Sequence, residues 1–186
     1  MIETERLILR HWQPQDLPDF RAQSFDPEGM KFLLQIKDEA AFQEMLARLD
    51  LWRDTLGHTF WAVTRKSDGV FLGLCGLKRG GPGTPIEEMT EIGWRLGTRY
   101  WGQGYAREAA QACLDWAWEH LPVGHIVAIT VSANTASWGL MERLGMHRLV
   151  DQDFDHPMVE DGSPLKRHIT YRIDRPADRP FINQIP

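Results

Sequence analysis

The chain has 186 residues, a mass of 21.5 kDa, 42% hydrophobic residues and eight tryptophans. At roughly 150 residues per domain this is one domain, and a fold of this size buries about 70% of its unfolded surface, which excludes a disordered chain. Lys plus Arg number 21 against 26 Asp plus Glu, a formal charge of −5 with a pI near 5.8, a poor match to a phosphate backbone that argues against nucleic acid as the main ligand.

The opening Glu5 to Trp12 reads as a buried strand, with Leu7 and Leu9 on one side and Ile8 on the other. Pro14 and Asp16 introduce a helical stretch to about Phe25, followed by the turn Asp26-Pro27-Glu28-Gly29. Asp38 is the expected N-cap of a longer helix, since Phe42, Met45, Leu46, Leu49 and Trp52 follow at helical spacing and Gly57 stands just past its end. His58 to Arg65 and Val70 to Lys78 are rich in β-formers around Lys66-Ser67-Asp68-Gly69, the pattern of a hairpin, and Thr90 to Leu96 is a third strand after a Gly/Pro loop at residues 79–85. A helix is expected from about Gly104 to His120, then a central strand at Ile126 to Val131, then a short helix capped by Asn134 and closed by Gly145. Met146 to Phe154 and His168 to Ile173 are the last two strands, and residues 175–186 form an extended tail. Strand, helix, strand between 90 and 131 implies one parallel right-handed crossover within an otherwise antiparallel sheet, so the class is α/β with a mixed sheet of six to seven strands. Cys75 and Cys113 lack zinc-ligand or disulfide-framework spacing and read as buried small hydrophobes; no metal is expected. No stretch approaches the ~20 apolar residues that span a bilayer, and the N-terminus lacks the apolar core of a secretory signal, so a cytoplasmic protein with no membrane partner is expected.

The most informative segment runs from Glu91 to Ala109: a strand, a loop with Gly102 and Gly104, then an amphipathic helix. That order points free backbone N–H groups and the positive end of a helix dipole at one place, which is an anion site. A P-loop would need Lys followed by Ser or Thr where Gln103-Gly104 stands, and a dinucleotide fingerprint would need a small residue where Arg107 stands. Neither fits.

Arg99-x-x-Gly102-x-Gly104 resembles the pyrophosphate loop of the GCN5-related N-acetyltransferase (GNAT) superfamily. Residues 4 to 10, Trp101 to Ala106, and Asn134-x-x-Ser137 ahead of Arg143-Leu144-Gly145 are similar to its RimJ/RimL-like ribosomal-protein N-terminal acetyltransferase branch. The resemblance implies an acetyltransferase domain over residues 1–174 with the acyl-CoA N-acyltransferase fold. In that fold the sheet is splayed between the strand ending near Leu96 and the strand at 126–131, acetyl-CoA is wedged in the gap, and the amides from Tyr100 to Ala106, Gln103 included, hold its diphosphate. Trp94, Trp101 and Tyr105 are candidate stacking aromatics, with core packing as the alternative. Asn134 is a helix cap to which the family adds a pantetheine contact, and Arg143 is either a phosphate contact or an exposed helix arginine.

A thioester and an amine react directly once held together, so no covalent nucleophile is needed, and none of the usual triads is present. The resemblance implies Glu91 as general base, with an ion pair or exposed edge charge as the alternative. Glu87 and Glu88 are nearby substitutes, and Asp151, Asp153 and His156 are weaker candidates. The superfamily's frequent tyrosine acid aligns with Met141 and is missing, while Ser137 is expected to position the leaving sulfur more than to protonate it. The expected acceptor is a protein N-terminal amine. A small amine (polyamine, amino acid or antibiotic) and a non-catalytic acyl-CoA-binding module are the alternatives, and a homodimer is a plausible assembly by family resemblance. The loop at 79–85 and the helical region around 26–37 are expected to border the acceptor.

Overall fold

The computed structural model describes residues 1–179. Its sheet runs β1 (Ile2–Glu3), β2 (Leu7–Arg10), β3 (Phe60–Arg65), β4 (Phe71–Arg79), β5 (Thr90–Leu96), β6 (His125–Val131), β7 (His147–Arg148), β8 (Phe154–Asp155) and β9 (Arg167–Asp174). Helices α1 (Leu17–Ser24), α2 (Glu39–Leu56), α3 (Tyr105–His120) and α4 (Thr135–Arg143) cover it. The sheet order is β1-β2-β3-β4-β5-β6-β9-β7, with β8 also pairing β9.

The expected elements form for the expected reasons. Asp38 caps α2 by accepting from the Ala41 amide at 2.9 Å, and Gly57 ends it at φ 72°, a left-handed conformation that glycine adopts without steric cost. The apolar stripes of α3 and α4 pack on one sheet face with Leu7, Leu9, Cys75, Leu77, Ile92 and Leu96. On the other face Phe20 of α1 and Phe42 and Leu49 of α2 pack against Ala62, Phe71 and Leu74. Cys75 and Cys113 are fully buried free thiols 3.6 Å apart, as the sequence implied.

Two local readings need correction, and together they raise the strand count from seven to nine. Ile2–Glu3 adds a strand of two residues to the sheet edge, pairing Ile2 with Leu9, too short to leave an alternation in the sequence. The single strand expected over Met146 to Phe154 is broken by a 3-10 turn at Val150–Gln152. There the Leu149 amide donates to Thr170 O and the Thr170 hydroxyl to Gln152 O, each at 2.9 Å, so the neighbouring strand satisfies a bent backbone that a straight ladder would have served. Of the expected tail, residues 175–179 form neither helix nor strand; the Arg175 guanidinium donates to the carbonyls of Trp118, Leu121 and Val123. Residues 180–186 lie outside the described residues. Among the described residues no helix is long and apolar enough to cross a membrane.

What positions the site is the parallel pair. β4 and β5 pair from Gly73↔Leu96 to Arg79↔Thr90, and β6 and β9 pair from His125↔Asp174 to Val131↔His168. Between them β5 and β6 meet only at Glu91↔Val127 and then diverge. The sheet is therefore open from Ile92 onward, and that opening leads to the loop joining β5 to α3.

Candidate active site

After β5 the chain makes a 3-10 turn at Thr98–Tyr100, passes Gly102 at φ 73° and Gly104 at φ 82°, and enters α3. The Tyr100 and Trp101 amides are spent closing that turn, on Gly97 O at 2.9 Å and Thr98 O at 3.1 Å. Uncommitted N–H groups thus begin at Gly102 and continue through Gln103 and Gly104 into Tyr105 and Ala106, where a helix start has no intrahelical acceptors to offer. This narrows the expected donor set by two residues. A Cβ at Gly102 would have no atom within 4 Å, so the loop's outer side can take a bulky anion, and the positive φ would strain any other residue there. On that observation the loop fits the diphosphate of acetyl-CoA.

The loop is braced from behind. Arg6 pairs with Glu108 at 2.6 Å, donates to Gln103 O at 3.0 Å and lies 4.5 Å from the Tyr105 ring. Gln103 Nε2 donates to Arg99 O at 3.0 Å, and the Arg99 guanidinium sits 4.8 Å over the Tyr100 ring. Tyr100 and Tyr105 are core residues, and Trp94 packs against the same core. Of the candidate aromatics only Trp101 is widely exposed, its indole tethered to Leu96 O at 2.8 Å. Leu96 itself is buried, and its carbonyl is taken by that indole.

Across the opening, Asn134 caps α4 and its amide donates to Thr130 Oγ1 at 3.1 Å. Ser137 is half-buried one turn into the helix, its amide donating to Asn134 O at 3.1 Å. Met141, one turn on, is fully buried, so no proton donor occupies that place. Arg143 is exposed and reaches back along its own helix toward Gly139.

Glu91 stands where the strands part. Strand alternation puts Ile92 and Leu96 in the α3 face and Glu91, Gly93 and Arg95 on the opposite face. Glu91 is buried and ion-paired with Lys78, its cross-strand neighbour. Burial pushes its carboxyl above the ordinary glutamate range, and the Lys78 ammonium pulls the other way without prevailing. Lys78 also lies 5.9 Å from the Trp52 ring. With Trp52, Arg79, Gly80, Pro82 and Glu87 it lines a surface cavity of about 510 Å³. Glu88 pairs with Arg79 at 3.6 Å and Glu87 accepts from the Gly83 amide at 2.8 Å, so both alternatives to Glu91 serve the loop.

Asp151 is exposed and Asp153 is held by Arg148. His156 is the weaker candidate nearest Glu91's partner: burial first, then the charges of His168, Lys78 and Lys166, hold its imidazole below the ordinary value. Its ring lies 4.9 Å from that of His168, and Pro157 faces the 79–85 loop, where a Cβ added at Gly83 would meet it at 3.7 Å. Two residues of this face escaped sequence reasoning. Lys78 could have been found only from the strand register, and Arg95 reads locally as an exposed strand cation whereas it is buried under α1.

Residues 6–147 match the model of the acetyltransferase (GNAT) domain. The chain is 33% identical over 147 residues to the uncharacterized protein YkkB of Bacillus subtilis (strain 168), covering 77% of this chain and 83% of that one. Among solved structures, an acetyltransferase from Agrobacterium tumefaciens str. C58 superposes with a TM-score of 0.75 at 27% identity, covering 92% of each chain. A spermidine N-acetyltransferase from Vibrio cholerae (92% of this chain, 97% of that one) and a ribosomal-protein-S5-alanine acetyltransferase from Vibrio fischeri (96% and 98%) share the fold, each with a TM-score of 0.72 at 16% identity.

Proposed function

The chain belongs to the GNAT acetyltransferase family and is an acetyl-CoA-dependent N-acetyltransferase; on that premise we propose that it moves the acetyl group directly onto an α-amine, the N-terminal amine of a protein being the first candidate acceptor. The observation that carries this is the run of uncommitted amides from Gly102 to Ala106 at the start of α3, beside a sheet that opens at Glu91. The loop anchors the diphosphate, the opening admits the pantetheine arm alongside β5, and the acetyl carbonyl then lies between Glu91 on one strand and Ser137 beyond the other.

Holding the two reactants at near-attack distance supplies much of the rate, since effective molarities can lower a barrier by about 7–11 kcal/mol. The amine must be neutral when it attacks. An α-amine with pKa about 7.7–8.0 is partly so near neutral pH, whereas a lysine near 10.4 is not. The amine nitrogen bonds the carbonyl carbon as the carbon–sulfur bond breaks, Glu91 takes the surplus amine proton directly or through water, and the thiolate takes a proton from solvent. With a thiol pKa of about 8.5 the leaving group needs little help, which suits the burial of Met141 in the acid's place and leaves Ser137 to hold the sulfur. The cavity beside Glu91 sets Lys78 and Arg79 against Glu87 and Glu88, so it offers a polycationic acceptor no net negative charge.

The test is thiol release from acetyl-CoA over peptides with free N-termini, their N-blocked counterparts, free amino acids and spermidine. Turnover confined to free α-amines is expected. Preference for spermidine would reverse the acceptor class, and tight acetyl-CoA binding with no transfer to any amine would make the protein a binding module.

A further inference from the structure

Arg95 lies on the same strand face as Glu91, four residues along β5, and is only 9% exposed. Its guanidinium meets no carboxylate among the described residues. Nη2 donates to Ser24 Oγ at 2.8 Å, Nη1 lies 2.9 Å from the Met30 thioether sulfur, the plane sits 4.8 Å over the Phe20 ring, and Nε has no partner. Burial lowers its pKa to about 10, with no neighbouring charge to oppose the shift. Arg10 shows what this chain does elsewhere with a half-buried arginine: both of its Nη atoms meet Asp16, at 2.7 and 2.8 Å. A five-donor fork built for a bidentate anion, buried against a hydroxyl, a thioether and an aromatic face, is costly to keep unless something else completes it.

We propose that Arg95 recognises a carboxylate on the acceptor, carried within a few bonds of the reacting amine, and that this carboxylate displaces the Met30 thioether from the guanidinium. The inference rests on the acceptor site of the acetyltransferase reading and names what that site selects. Glu91 and Arg95 are about 13 Å apart along the strand at 3.3 Å per residue, a span that a water on Glu91, the acceptor from its amine to its carboxylate, and the hydrogen bond to the guanidinium cover together. Gly93 lies between them, with the Phe60 ring over it as an apolar floor for the acceptor's carbon atoms. Met30 is the buried residue of the α1–α2 connection, which between residues 26 and 37 contains only turns and bends and so can yield at less cost than a helix.

Matched pairs differing only in the carboxylate test this: L-alanine against ethylamine for an α-carboxylate, and the N-terminal peptides Asp-Ala-Ala-Ala and Asn-Ala-Ala-Ala, both C-terminally amidated, for an acidic side chain. Each is measured by thiol release and, independently of turnover, by calorimetry on the CoA-loaded protein. In the wild type the KM or Kd of the carboxylate member of at least one pair is expected to be about tenfold lower or more. Arg95→Gln should bring the two members of that pair within about threefold while acetyl-CoA still binds and the far-ultraviolet circular dichroism is unchanged. Met30→Leu, which keeps the volume and removes the sulfur, should retain the preference. Equal affinity within both pairs in the wild type overturns the inference even if Arg95→Gln does not fold. So does a loss in Arg95→Gln that is equal for both members, the mark of a structural arginine, or a loss of preference in Met30→Leu. Carboxylate-dependent binding without any transfer would uphold the role of Arg95 and refute the acetyltransfer reading; transfer without carboxylate preference would do the reverse.

Discussion

Glu91→Gln separates two roles that the structure superimposes on one carboxylate. The Glu91 side chain is 10% exposed and that of its partner Lys78 is 15% exposed. Removing one member of such a pair strands the other's charge, at a cost of about 3–5 kcal/mol. For a domain of this size that lowers the melting temperature by roughly 6–20 °C, at about 2–4 °C per kcal/mol. If Glu91 is also the base, kcat/KM falls by about 10² to 10⁴ while acetyl-CoA affinity, set by a loop on another element, is nearly unchanged. The pH profile adds an independent readout. Burial holds the Glu91 proton above the ordinary glutamate range, so the wild-type rate rises with pH as the carboxylate forms, and Glu91→Gln loses that limb. Combining Glu91→Gln with Lys78→Met removes both charges, so the melting temperature should recover most of its loss without any recovery of rate. Recovery of activity with stability in the double variant, or a wild-type pH profile in the single one, would show that Glu91 is only the lysine's counter-ion.

Three further outcomes are expected. Gly102→Val places a branched side chain where the diphosphate is proposed to approach and forces it to φ 73°, so calorimetry should show acetyl-CoA affinity lost by more than about tenfold at a stability cost near 1–2 kcal/mol; undiminished affinity would move the diphosphate elsewhere. Asp16→Asn removes the carboxylate that accepts from both Arg10 Nη atoms and from the Gln13 amide, so thermal unfolding should report a loss of about 3–5 kcal/mol, whereas a loss under 1 kcal/mol would mean that Arg10 re-pairs. Ser137→Ala should lower kcat by less than about tenfold, and a hundredfold fall in single-turnover rate would make Ser137 the proton donor.

What the sequence disclosed is what local chemistry encodes. Asp38 and Gly57 bracket α2 because a cap and a left-handed terminus are decided within a few residues. The run at 126–131 could be placed inside the sheet because only a strand covered on both faces is apolar throughout. The left-handed turns at Gly102 and Gly104 and the helix start behind them could be placed because positive φ and a helix start are local as well. The rest depended on partners distant in the chain. Nothing between Met146 and Phe154 reveals that Thr170 will bend it. The Lys78–Glu91 pair requires the β4–β5 register, and the burial of Arg95 requires Phe20, Ser24 and Met30, more than sixty residues upstream, to fold over it.

The central claim is that the amides from Gly102 to Ala106 hold the diphosphate of acetyl-CoA, and amide-resolved NMR titration tests it most directly. Coenzyme A should shift the Gly102, Gln103, Gly104, Tyr105 and Ala106 resonances most strongly, with Tyr100 and Trp101 moving less because their hydrogens are already bonded. Pantetheine, which lacks the diphosphate, should leave those five unmoved. Shifts of equal size with both ligands, or with coenzyme A at another loop alone, would contradict the placement and the function built on it.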